Sequence, residues 1–322
     1  MDIGNSEERR GSPILTWAML AGAALSTAAA CLPAPAAADW REDIGTFRVG
    51  VVAEPGAGNT IAGLAELNDA FTKALGLKVE FLVAHSYAAL IDAQVSSRIE
   101  YAIYSAAAYA SAYRRCECVE PLVAPTGEDG SIGIRSVLIA KDNRMLSAEA
   151  VAGRRIALPP PDSMAGHQLP LAGFQPGGKP LSGAESFFVK ADSAEAAEAM
   201  LAEGSVDAIF GWVPAGPPGT DEIHGGTPAR LAAAGIDRSA LSILWRSDVL
   251  RFGPHAVSID LDPEPKRRLT AFLTGLRAAD PDLYERLETH HLGGFTAASQ
   301  ADYAVALEIV GMLAEARPEA DQ

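Results

Sequence analysis

The sequence predicts an α/β protein of two lobes, on three observations. From Phe47 onward, short β-like runs alternate with amphipathic helical runs in a βαβαβα order, the pattern of a largely parallel sheet. At Ile132 this rhythm breaks and a second α/β unit begins. After that unit, two more strand-like runs at 241–245 and 255–259 lead the chain back. A first lobe interrupted by a second, with two crossings between them, leaves a cleft that hinged closure can use.

Each element follows in order. Residues 47–52 (FRVGVV) read as the first strand, since β-branched and aromatic side chains suit a pleated surface. A helix over 60–75 is stopped by Gly76, and 78–83 (KVEFLV) is the next strand. Residues 87–95 are helical, 101–104 form a short strand, 106–115 a helix and 119–123 another strand. In the second unit 135–140 (RSVLIA) reads as a crossing strand. It is followed by a strand at 155–158, a helix opening near Ser163, a strand at 186–189, a helix over 193–203 and a strand at 206–210. Helices over 264–276, 281–288 and 301–316 close the chain, while residues 159–161, 177–178 and 214–219 are loops punctuated by Pro and Gly. The expected division is 39–135 with 253–322 for lobe 1 and 136–252 for lobe 2, each a mostly parallel sheet flanked by helices.

The first 38 residues read as a secretory signal. Arg9-Arg10 precedes an apolar stretch that ends in Ala34-Pro35-Ala36-Ala37-Ala38, a small-residue cleavage pattern. Lipidation at Cys31 is the weaker alternative, because no leucine stands three residues before it. The expected location is periplasmic. A net charge of −15 argues against nucleic acid, which needs a positive patch. It also requires any anion site to be local, built from backbone N–H groups and a few side chains.

Several stretches, in order, resemble the phosphonate/phosphate-type periplasmic binding proteins of ABC transporters. They are Gly50-Val51-Val52, residues 86–93 (SYAALIDA), Tyr101-Ala102-Ile103-Tyr104, residues 130–142 (GSIGIRSVLIAKD), residues 161–166 with Leu169-Pro170, and residues 204–208 (GSVDA). The resemblance implies a type II periplasmic-binding fold, a small-molecule ligand and an ABC permease as partner; with no G-x-S-x-G, H-E-x-x-H or metal-ligand spacing in the sequence, neither catalysis nor a cofactor is expected. It also implies ligand-facing roles for Tyr87 and Tyr104, and backbone donors at Ser105 and Ala106. In the family, the segment matching 162–166 holds an oxyanion with hydroxyls and free N–H groups at a helix N-terminus. Here Ser163 keeps one hydroxyl, Met164 and Ala165 replace two others, and Gly166 follows. Asp192 falls near the position of a family histidine, where a carboxylate would repel a dianion.

Cys116-Glu117-Cys118 asks for its own explanation. One reading is a short-loop disulfide, allowed in an oxidising compartment. The other is a soft-ligand site, since adjacent thiolates suit trivalent arsenic, which arrives as a neutral hydroxide. A branch of the family, the arsenite-binding sensor proteins (AioX type), works beside a histidine kinase. Similarity to that branch implies Cys118 as a ligand with Cys116 as partner. On this expectation the protein binds arsenite and presents it to a sensor kinase; oxyanion uptake through an ABC permease is the alternative. A thiol–disulfide enzyme is disfavoured by C-x-C in place of C-x-x-C spacing. Against the thiolate reading, the pair follows a helix C-terminus, whereas clefts in such sheets lie at helix N-termini. Gly56-Ala57-Gly58 lacks the rest of a phosphate loop. His290-His291 reads as an exposed pair with diverging side chains, and His85 and His255 as structural or rim residues.

Overall fold

The computed structural model describes residues 39–53, 63–142, 144–220 and 223–315. The leader, Cys31 and the Gly56–Gly58 turn lie outside the described residues.

The chain opens with α1 (Trp40–Ile44) and β1 (Thr46–Val52), followed by α2 (Leu64–Leu75), β2 (Lys78–Ala84), α3 (Tyr87–Val95), β3 (Tyr101–Ile103), α4 (Ala106–Cys116) and β4 (Val119–Thr126). It then enters a second sheet through β5 (Gly133–Lys141) and β6 (Ile156–Leu158). A π-helical turn (Met164–Gln168) runs into α5 (Leu169–Gly173), and β7 (Phe188–Lys190), α6 (Ala194–Glu203), β8 (Ala208–Ala215), α7 (Gly226–Ala233), β9 (Leu241–Arg246) and β10 (Leu250–Arg251) complete that unit. The return brings β11 (His255–Ser258), α8 (Pro263–Ala279), α9 (Pro281–Leu287), β12 (Gly294–Ala297) and α10 (Ala304–Glu315).

The first sheet has the order β12-β4-β11-β3-β1-β2, the second β10-β5-β8-β6-β7 with β9 also on β5. β2, β1 and β3 are parallel, as are β7, β6 and β8. The sheets are nevertheless mixed. β11 inserts antiparallel between β3 and β4, and β5 runs antiparallel to β8, β9 and β10. The reason is topological: strands that enter or leave a lobe arrive from the neighbouring lobe, so they do not follow the βαβ direction of the rest.

Local signals explain the helix limits. Ser86, Ser105 and Ser193 cap α3, α4 and α6 by accepting from the N–H groups of Ala89, Ala108 and Ala196. Gly76 and Gly204 end α2 and α6 in the left-handed conformation that glycine takes without strain. Period-2 alternation then sorts each strand between two cores. Tyr101 joins Phe47, Val49 and Phe71 on one face of the first sheet, while Ala102 and Tyr104 join Leu90 and Tyr109 on the other. Phe71 meets Phe81 edge-on at 5.3 Å and Phe272 at 5.1 Å, a geometry that adds about 0.5–1.5 kcal/mol per pair beyond burial. In the second sheet Val137 and Ile139 face α6, and Leu138 faces Phe174 and Phe210.

Candidate functional site

Two stretches join the sheets: the loop between β4 and β5, and Phe252-Gly253-Pro254 between β10 and β11. The Phe252 N–H donates to the carbonyl of Ile132 at 3.1 Å, so the crossings are bonded to each other. Both are tightly packed. A Cβ at Gly133 would sit 2.8 Å from Arg251 Cα, and one at Gly253 would collide with the Tyr104 carbonyl and lie 2.7 Å from Ser105 Cα.

A cavity of about 720 Å³ opens at these crossings. Gly127, Ser131 and Gly133 of one crossing and Phe252 of the other line it. Lobe 2 supplies Met164 and Ala165 at the start of the π turn, with Trp212 and Pro214 from the end of β8. Lobe 1 supplies His290, His291 and Leu292 from the turn after α9. Ser136 on β5 donates to the Ala165 carbonyl at 2.6 Å, which fixes the π turn against the crossing strand. On one side the lobes touch, because Leu169 of α5 packs into the lobe-1 cluster with Tyr303 and Ile309.

The lobe-1 wall is held by Glu288. Its carboxylate accepts from the His290 N–H at 2.9 Å, the His291 N–H at 3.0 Å and the His291 ring at 3.0 Å. Burial pushes the Glu288 carboxyl up, but the His291 and His290 hydrogen bonds outweigh it and hold the group below its usual range. His291 stacks on Phe252 with ring centres 3.8 Å apart. Glu288 also acts on Tyr87. That phenol is pushed up by burial, with hydrogen bonding to Ser105 opposing and the Glu288 charge adding to the rise. The α4 N-terminus lies at the crossing, where Gly253 abuts the backbone of Tyr104 and Ser105.

The expected site residues divide accordingly. Ala165 lines the cavity. Tyr87 is exposed at the start of α3 and Ser105 caps α4; neither is among the residues lining the cavity. Ser163 caps the π turn by accepting from the Gly166 N–H at 3.2 Å, and Gly166 is buried where a Cβ would press on Pro159 at 2.6 Å. Asp192 is exposed at the end of β7, before the Ser193 cap, and is not part of the cavity. Tyr104 is 3% exposed and packed with Leu90 and Tyr109, its hydroxyl buried without a hydrogen-bond partner among the described residues. His290-His291 is corrected. The pair follows α9 in a turn, not a helix, so Glu288 can gather both residues toward the cavity. No short-range pattern marks this, although Glu288 three residues before His291 was a visible pairing.

The largest correction concerns the cysteines. Cys116 and Cys118 are joined as a disulfide across Glu117, which takes a left-handed φ of 50°. Neither sulfur is a free thiolate. They also sit at the far end of the 11-residue α4, about 16 Å from its Ser105 end at 1.5 Å per residue. The arsenite-thiolate site, and with it the sensing expectation, has no support in this geometry. Among the described residues no group of three His, Cys, Asp or Glu side chains is gathered to hold a metal. Among the same residues no helix is long and apolar enough to cross a membrane.

Two mixed sheets, paired crossings and a cavity lined from both lobes define a bilobal ligand-binding protein. Residues 49–303 match the family described as the phosphonate periplasmic substrate-binding protein of ABC transporters, and the chain belongs to that family. It is 24% identical over 201 residues to the phosphate-import protein PhnD of Mycolicibacterium smegmatis, covering 60% of each chain. Among solved structures it resembles XAC2383 from Xanthomonas citri bound to chloride ion (TM-score 0.53, 15% identity, 84% of this chain and 98% of that one). It also resembles transferrin 1 from Manduca sexta (TM-score 0.56, 13% identity, 84% of this chain and 46% of that one). These two likenesses concern the fold.

Proposed function

We propose that the protein captures a phosphate- or phosphonate-type oxyanion in the periplasm and delivers it to an ABC permease. Lobe 1 (39–135 with 253–322) and lobe 2 (136–252) would close over the ligand about the two crossings, after export directed by residues 1–38. The observation that carries the reading is the Ser105-capped N-terminus of α4 packed against Gly253 of the crossing, next to Phe252, which lines a cavity shared by both lobes. Helix N-termini present free N–H groups and the positive end of the helix dipole, so they hold an anion without a formal cation. That suits a chain with a net charge of −15. Across the cleft, the Ser163-capped turn offers the second set of N–H groups.

Titration calorimetry with phosphate, phosphite and methylphosphonate tests this. At least one should bind saturably, and Ser105→Ala should weaken it by about tenfold or more, the usual loss for a hydrogen bond to a charged group. Absence of heat with all three anions would refute the proposal.

A further inference from the structure

Resting on the oxyanion reading, we infer that the cavity at the crossings is a subsite for a flat aromatic group, so that the ligand is an aryl-substituted phosphonate or phosphate ester. At about 720 Å³ the space falls in the range of pockets for organic ligands, and a lone tetrahedral anion would leave most of it to water.

Its walls are shaped for a ring. Trp212 enters from lobe 2, with the Arg230 guanidinium 5.5 Å from its ring centre, and Arg230 is itself held by Glu198 at 2.5 Å. Lobe 1 offers the Phe252–His291 stack, pinned by Glu288 and by Tyr303, which donates to the Phe252 carbonyl at 2.9 Å. Both aromatic walls are therefore positioned before any ligand arrives, so little ordering is required on binding.

The charges point the same way. The described lining contains Glu128 and Asp129 but neither Lys nor Arg. Such a lining repels a second anionic group and tolerates a neutral or weakly basic ring. The charged end of the ligand is thereby directed to the α4 N-terminus, which abuts Gly253 beside Phe252, and the ring to Trp212. Met164 and Ala165 present apolar surface at the same mouth.

Calorimetry with inorganic phosphate, methylphosphonate and phenylphosphonate separates the possibilities. Phenylphosphonate should bind at least about tenfold tighter than methylphosphonate, as one well-placed aromatic contact allows. Trp212→Ala should bring that ratio to within about threefold, and Phe252→Leu, which keeps an apolar wall, should reduce it less. Equal or reversed affinities in the unmodified protein would overturn the aryl subsite and leave the oxyanion reading standing. So would a preference for phenylphosphonate that Trp212→Ala does not change. Failure of all three anions to bind would overturn both.

Discussion

Acid sensitivity should trace to His255. The residue is fully buried in β11, its Nδ1 paired with the Tyr101 hydroxyl and its ring 4.6 Å from Phe295. Its Nε2 is buried with no hydrogen-bond partner among the described residues. Burial pushes the imidazole down to about 4, with the Glu288 charge opposing. An unfolded histidine titrates near 6.5. Between these values the unfolded chain binds a proton that the folded chain refuses. The stability is thus fully present above about pH 6.5 and is lost as pH falls toward 4. At roughly 1.36 kcal/mol per pH unit, the loss between pH 7 and pH 5 is about 2 kcal/mol. His255→Asn removes the titration while keeping an acceptor for Tyr101. Urea unfolding of both proteins at pH 7 and pH 5 gives the double difference directly. Glu100, which burial pushes up, acts in the opposite direction but is common to both proteins and cancels. A double difference below about 0.5 kcal/mol would sink the assignment, since the linkage predicts roughly four times that.

Two further outcomes follow from the packing. Gly253→Ala should destabilise the protein by about 1–3 kcal/mol in urea and weaken oxyanion binding, because backbone atoms of Tyr104 and Ser105 occupy the space of the new Cβ. An unchanged midpoint would show that the crossing can move aside freely. Replacing both cysteines, Cys116→Ser with Cys118→Ser, should cost about 1–2 kcal/mol, the small entropic effect of closing a loop of sequence separation 2. It should leave oxyanion affinity unchanged by calorimetry. A marked loss of affinity there would mean that the α4 C-terminus communicates with its N-terminus.

Much of the fold was readable because local rules produce it. The strand at 78–83 and the helices over 87–95 and 193–203 are bounded by serine caps and glycine stops, and the structure places them within a residue or so. Other elements escaped: α7 was hidden between glycines, and β10 and β12 are too short to show a period. The strand at 206–210 extends to Ala215, so the Pro214 expected in a loop ends a strand instead. That happens because β5 supplies a full partner along its length.

Sequence alone determined the α/β class, the family and the helices over 87–95, 106–115 and 193–203, since each depends on neighbours a few residues apart. Tertiary structure decided the rest. It closed Cys116 onto Cys118 at the end of α4 away from the cleft, buried Tyr104, and brought Trp212, Phe252 and His291 to one cavity. Those three residues are far apart along the chain, and only the pairing of β5 with β8 and the crossings brings them together. A periodic pattern reports which face of an element is apolar; it carries no information about what that face will meet.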